Sequence, residues 1–333
     1  MKKKILLVGG CGFIGHNLAL KLFKKGHHPS IVDSLGVNNI LSFTDSEIKN
    51  KELYSSILNN RVNILNENKI ELIIQDCRDY FAINKLYDKI NPDIIVHLAA
   101  VSHANKSNKD PHSTFDHSLR TLENTLDFAK NKKLHVIYIS SSMVYGNFKT
   151  GTVDEEARCE PIGIYGNLKL AGELMVKSYN QVFDLPFTII RPSALYGERC
   201  VSRRVGQVFI ENAIQGIDIE INGDGKEKLD FTYIEDLTEG ISLACENDKA
   251  KNEIFNITFG NARQINELLQ ILKENFKDIK VKYKERDKLM PERGTLQNTK
   301  AKRLLNFTPK YKIEDGYNEY IKWYKDFWKS INK

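Results

Sequence analysis

Ile5–Leu22 reads ILLVGGCGFIGHNLALKL. Four apolar residues run into a cluster of glycines, and behind it apolar positions recur at helical spacing. A buried strand therefore turns tightly into an amphipathic helix. Gly9, Gly12 and Gly15 have different duties in such a turn. The first permits the bend, the second lets backbone approach a pyrophosphate, and the third lets helix pack closely on strand. Phe13 and Ile14 open the helix and would offer free N–H groups to that anion. A glycine triplet alone is weak evidence, but here an acid closes the next strand: Asp33, in PSIVDSLG. A carboxylate there accepts hydrogen bonds from an adenosine ribose and repels a 2′-phosphate, so NAD is favoured over NADP.

Outward from this turn, short apolar runs alternate with amphipathic stretches: ELIIQD, DIIVHLAA, HVIYISSS, FTIIRP. Such a rhythm predicts a Rossmann-type, doubly wound α/β fold, a parallel sheet covered on both faces. The long connection NKELYSSILNNRVNILNENKIE carries a helix of its own. After residue 190 the rhythm breaks, in FIENAIQGIDIEINGDG, then FTYIEDLTEGISLACEN and IFNIT return toward the sheet. The expected organisation is an NAD-binding domain over 1–190, rejoined by 231–258. A smaller, discontinuous α/β domain for substrate would span 191–230 and 259–333.

The chain has 333 residues, 41% hydrophobic and 28% charged, as in an ordinary soluble domain. Its 49 basic and 43 acidic residues leave a charge of +6. That surplus is dispersed along Lys/Asn-rich helices, which speaks for a solvated surface and against nucleic acid. Cys11, Cys77, Cys159, Cys200 and Cys245 lie far apart without ligand spacing, so neither a disulfide framework nor a metal site is expected. The apolar run near the start is only a strand long, and no segment suffices to span a bilayer. A cytoplasmic protein without membrane or nucleic-acid partners is the expectation.

Asp76, with Cys77 beside it, ends the third predicted strand and reads equally well as an adenine contact or a helix N-cap. Farther on, IGIYGNLKLAGELMVKSYNQVF has helical spacing, which projects Tyr165 and Lys169 from one face. A phenol titrates near 10, and lowering it to about 7 takes about 4 kcal/mol of preference for the phenolate. An ammonium one turn away and an oxidised nicotinamide would supply it in a partly desolvated cleft. A serine of SSSMVYG (140–146) would then hold the substrate oxygen while Tyr165 removes its proton.

GGCGFIG, DIIVHLAA, SSSMVYG, YGNLK with AGE, and RPSALYG resemble, in order and spacing, the extended short-chain dehydrogenases/reductases acting on nucleotide-diphosphate sugars. The resemblance runs through GDGKEKLDFTYIEDL to PERGTL, nearly the whole chain. It implies a catalytic Ser–Tyr–Lys set of Ser141, Tyr165 and Lys169, with Ser142 the second choice and Ser140 packed at the strand end. It implies backbone contact of Leu98 and Ala99 with NAD, and Lys169 on the nicotinamide ribose. Where related 4,6-dehydratases carry the Asp and Glu that eliminate water, this chain has Ser142 and Met143. A thioether moves no proton, so dehydration is disfavoured and both residues are expected to face substrate. Ala194 and Leu229 stand where relatives carry an Asn and an Arg on the diphosphate. Arg203, Arg204 and Lys228 are candidates to replace them, and Arg293 matches the family's other diphosphate arginine. His103 either faces the sugar or is satisfied by backbone.

The shared first step is oxidation at carbon 4 of a GDP- or UDP-linked sugar. VSHANKSNKDP, DHSLRTLENT and RPSALYGERCVSRRVGQ look like a subgroup containing the GDP-heptose 4-dehydrogenases of bacterial capsule assembly, which is the leading expectation. A UDP- or GDP-sugar 4-epimerase with tightly bound NAD comes second. A non-catalytic NAD sensor comes last, since it needs no Tyr/Lys spacing. The helices around DHSLRTLENTLDFAKN and Tyr165 match those through which relatives dimerise, so a homodimer or higher homo-oligomer is expected.

Overall fold

A computed structural model describes residues 2–43, 49–102, 104–287 and 289–332. Seven strands form one parallel sheet: β1 (Lys4–Val8), β2 (His28–Asp33), β3 (Glu71–Ile74), β4 (Ile94–His97), β5 (His135–Ile139), β6 (Phe187–Arg191) and β7 (Glu253–Asn256). Their order is β7-β6-β5-β4-β1-β2-β3. The chain thus starts in the middle, winds out to β3, crosses back to β4 and winds out the other way. β1 lies between β2 and β4, with Val8 opposite both Val32 and His97. That reversal leaves a crevice beyond the carboxyl end of β1, where open α/β sheets bind ligands.

Alternate residues of each strand enter different cores, as the pleat requires. Ile5, Leu7, Ile31, Val96 and Ile137 pack on one face, under Leu18 and Leu22 of helix Phe13–Lys24 and Leu53 and Ile57 of helix Lys51–Glu67. Leu6, Val8, Val32, Ile95 and Val136 pack on the other. There they meet Ile83 of helix Tyr80–Ile90, Leu122 and Leu126 of helix Thr121–Lys132, and Val176 of helix Gly163–Phe183. Each such side chain contributes about 1.5–3 kcal/mol on full burial.

Helix Ile234–Glu246 packs against helix Phe13–Lys24, where Glu239 pairs with Lys21 and Lys25. β7, directly after it, pairs with β6 at the sheet edge. Helices Val205–Ile214, Ile265–Asn275 and Ile313–Ile331 pack together beside the strand end, with Ile219–Asn222 paired in parallel to Val281–Lys284. The two parts are pinned by Glu211, whose carboxylate accepts from Tyr54 Oη at 2.7 Å and Tyr324 Oη at 2.8 Å. The predicted helix DHSLRTLENTLDFAKN begins with a π turn, Asp116–Arg120, before Thr121–Lys132. No helix among the described residues is long and apolar enough to cross a membrane.

Candidate active site

The glycine turn lies at the carboxyl end of β1, and its glycines are required sterically. Gly9 has φ +75°, and a Cβ there would stand 2.6 Å from the Ala99 backbone; one on Gly15 would stand 2.3 Å from the Gly10 carbonyl oxygen. The helix behind starts at Gly12 with no side-chain cap and no acid in its first turn, so its N–H groups remain for an anion. Gly9, Gly12, Phe13, Ile14, Gly15, Asp33, Asp76, Cys77, Leu98 and Ala99 all line one cleft. Asp33 is buried there, its carboxylate accepting from Cys11 N at 2.9 Å and Leu35 N at 2.7 Å. Burial raises its pKa, and the two amides oppose that shift. An uncapped helix start, a close-approach glycine turn and a carboxylate at the end of β2 are the donor and acceptor set that an adenine dinucleotide needs.

Asp76 does not cap the helix that follows. Asp79 does, accepting from Ala82 N at 3.0 Å. Asp76 is held by Arg78, whose Nη2 donates at 2.7 Å and keeps the carboxyl below its usual range. Cys77, beside it, is buried.

The serine triplet follows β5 directly, and its three hydroxyls diverge. Ser140 Oγ donates to Glu173 Oε1 at 2.5 Å. Ser141 Oγ accepts from Met143 N at 3.2 Å and lies beside the Tyr165 hydroxyl, whose pKa it lowers. Ser142 is buried, its N–H donating to the Pro192 carbonyl, while Met143 remains half-buried. The structure therefore brings Ser141 to Tyr165. Lys169 projects one turn on, at the end of the same strand, where its Nζ donates to the Ile139 carbonyl at 2.7 Å.

Electrostatics at this pair differ from the sequence expectation. Burial raises the Tyr165 phenol; the influences that lower it are the Ser141 hydrogen bond and the charge of Arg204. Lys169 faces elsewhere, over the Tyr138 ring at 5.1 Å and toward Glu173. Its own pKa falls to about 8, because burial outweighs the Glu173 charge.

Arg203 and Arg204, adjacent in sequence, separate. Arg203 adopts a left-handed backbone (φ +51°), is exposed, and its charge acts on Tyr54. Arg204 lines the cofactor cleft and stands near both Tyr165 and Arg293. The Nε atoms of Arg204 and Arg293 are buried without a hydrogen-bond partner among the described residues. Burial, first, and the neighbouring arginines bring Arg293 down to about 10. It borders a second depression with Lys226, Lys228 and Arg286, in which Lys228 is exposed. The structure thus gathers Arg204, Arg293 and Lys228 along a path from Tyr165, and leaves Arg203 off it. His103 lies outside the described residues.

Sequence reading missed the support beneath this site. Glu173 is buried, bound by Arg191 through Nη2 at 2.7 Å and Nε at 2.9 Å, and Arg191 also donates to Tyr145 Oη at 2.9 Å. The i, i+4 spacing of Lys169 and Glu173 was the available signal. The arginine at the end of β6 gave none.

Residues 5–258 match the NAD dependent epimerase/dehydratase family. The chain is 28% identical over 322 residues to an uncharacterized UDP-glucose epimerase, YtcB, of Bacillus subtilis, covering 96% of both. It is 28% identical to a UDP-N-acetyl-alpha-D-glucosaminuronate decarboxylase of Bacillus cytotoxicus, covering 98% of this chain and 99% of the relative. Among solved structures it is similar to a UDP-glucuronic acid 4-epimerase from Bacillus cereus, in complex with UDP-glucuronic acid and NAD. The TM-score is 0.87 at 26% identity, over 97% of this chain and 99% of the other.

Proposed function

The chain belongs to the NAD dependent epimerase/dehydratase family, as an NAD-using enzyme of nucleotide sugars, and from that premise we propose that it inverts carbon 4 of a UDP-linked sugar. The local motifs favour a GDP-heptose 4-dehydrogenase, but the relatives named above act on UDP-sugars, or carry names that say so. One observation carries the choice between releasing a keto-sugar and returning the hydride. Asn38, after β2, donates to Ser102 Oγ at 3.1 Å and accepts from Lys106 Nζ at 2.8 Å, both after β4. Because β2 and β4 flank β1, this tie spans the glycine turn, and Asn38 and Ser102 line the cofactor cleft. A cleft tied over its dinucleotide suits a cofactor that is kept and regenerated at each turnover.

NAD, held by the glycine turn, Asp33, Leu98 and Ala99, would supply reversible hydride transfer at carbon 4. Tyr165 removes the carbon-4 hydroxyl proton and later returns it, with Ser141 holding the oxygen. Arg204 and Arg293 hold the diphosphate by guanidinium contacts, leaving the sugar free to turn between them and Tyr165. Ser142 and Met143, flanking Ser141, supply no acid or base for eliminating water. A second copy of the chain covers the apolar face of helix Gly163–Phe183, where Leu174 and Val182 are exposed.

The experiment is incubation with UDP-glucose, UDP-N-acetylglucosamine, UDP-glucuronate and GDP-sugars, with products assigned by NMR and free NADH followed by absorbance. An inverted UDP-sugar with no net NADH is the expected result. A keto-sugar with stoichiometric NADH, or a product one carbon shorter, overturns the 4-epimerase reading.

A further inference from the structure

The floor of the cofactor cleft contains a cation that no motif announces. Arg61, on helix Lys51–Glu67, is 1% exposed and lines the cleft with the glycine turn and Asp33. Its Nε donates to the Arg199 carbonyl at 3.0 Å, its Nη2 to the same oxygen, and its Nη1 to the Cys11 carbonyl at 3.4 Å. A guanidinium has five N–H donors, so about two are left over.

No carboxylate among the described residues forms an ion pair with Arg61. Asp33, whose charge it feels, already accepts from the amides of Cys11 and Leu35. Cys200 and Cys11, which also favour its charge, are buried thiols, Cys11 pushed up to about 11, and Arg199 and His16 bring no negative charge. Burying a cation among neutral carbonyls alone costs several kcal/mol, which a protein retains where an anion arrives to offset it. The anion that reaches this cleft is a dinucleotide diphosphate. The helix N-terminus meets it with only about half a positive charge, and Asp33 contributes a full negative one. Arg204, the other arginine lining the cleft, stands toward Tyr165, so the cation beside Asp33 is Arg61.

We propose that Arg61 is a cofactor-binding residue that neutralises the diphosphate of NAD from beneath the glycine turn. The inference rests on NAD as the cofactor and is independent of the reaction at carbon 4. It is also specific about chemistry, because the effect of Arg61 must follow phosphate and not the adenosine.

The test uses full-length protein stripped of cofactor. Binding of NAD and ADP is measured by calorimetry, and of adenosine by ligand-observed NMR, for wild type, Arg61→Met and Arg61→Lys. Loss of one charge-assisted contact should weaken NAD and ADP about tenfold or more in Arg61→Met. Adenosine binding should stay within about twofold, and the salt dependence of ADP binding should become shallower. Arg61→Lys keeps the charge and should preserve most of the preference for ADP over adenosine. Unchanged ADP affinity in Arg61→Met, or an equal loss for adenosine, overturns the proposal. Should Arg61→Met fail to fold, Arg61→Lys decides: a preference for ADP near that of wild type supports the assignment, and its disappearance overturns it. Failure of both variants to fold makes Arg61 part of the scaffold and also overturns it.

Discussion

Tyr165, the proposed base, is held protonated by the protein alone. Burial raises its pKa, and Ser141 and Arg204 pull the other way without prevailing. On the proposed reading, the positive charge of an oxidised nicotinamide would supply the remaining influence and confine deprotonation to the loaded cleft. Tyr165→Phe should lower turnover by about a thousandfold, within the range for general acid–base groups. NAD affinity, measured by calorimetry, should be nearly unchanged; near-wild-type activity would remove Tyr165 from its role. Lys169 offers a titration. In the cofactor-free protein its ammonium should lose its proton near pH 8, followed by 15N NMR, and a midpoint near 10.5 would contradict the burial observed. Burial thus brings Lys169 below the ordinary lysine value of 10.5 in the folded protein. The lysine's contribution is present above pH 10.5 and lost as pH falls through about 8. Thermal melts of Lys169→Met, compared with wild type, should therefore look more favourable at pH 7 than at pH 10.

At the scale of elements, the site depends on where helix Gly163–Phe183 meets the ends of β5 and β6. Glu173 from the helix, Arg191 from β6 and Ser140 from β5 close one buried network there. Glu173→Ala leaves the Arg191 guanidinium buried without its carboxylate and should cost about 3–5 kcal/mol in urea denaturation. Glu173→Leu combined with Arg191→Met should recover much of that; a loss equal to the sum of the single changes would deny the pairing. The elements themselves were legible in sequence, because strand alternation and the strand–glycine–helix turn are local patterns. So were Asp33 and the Tyr165/Lys169 spacing, each fixed by its distance along one element. What the sequence hid depends on distant partners. Asp79, three residues past Asp76, took the helix cap. Arg203 and Arg204 parted because one adopts a left-handed backbone. Arg61 sits in the polar stretch LNNRVN, where nothing local distinguishes it from a surface arginine.

At the scale of the whole molecule, the helix of Tyr165 also leaves large apolar side chains exposed. Leu174 is 56% and Val182 70% exposed on helix Gly163–Phe183, and Phe81, on helix Tyr80–Ile90 on the same face of the sheet, is 82% exposed. Scattered apolar residues need no explanation, but the pair on helix Gly163–Phe183 lies on the helix proposed above to carry a second copy. Leu174→Glu with Val182→Glu should shift the protein from dimer to monomer in light scattering, and a wild type that is monomeric at micromolar concentration would refute the interface. The β5 and β6 ends sit just below this helix, so the same helix that carries the base would also carry the subunit contact. The central claim concerns the hydride and is most directly tested by labelling. The UDP-sugar that the protein turns over, deuterated at carbon 4, is incubated with holoenzyme and a large excess of unlabelled NAD. Deuterium retained at carbon 4 of the inverted product, with none in the free cofactor, is the predicted result. Deuterium appearing in released NADH, or lost to solvent, would contradict it.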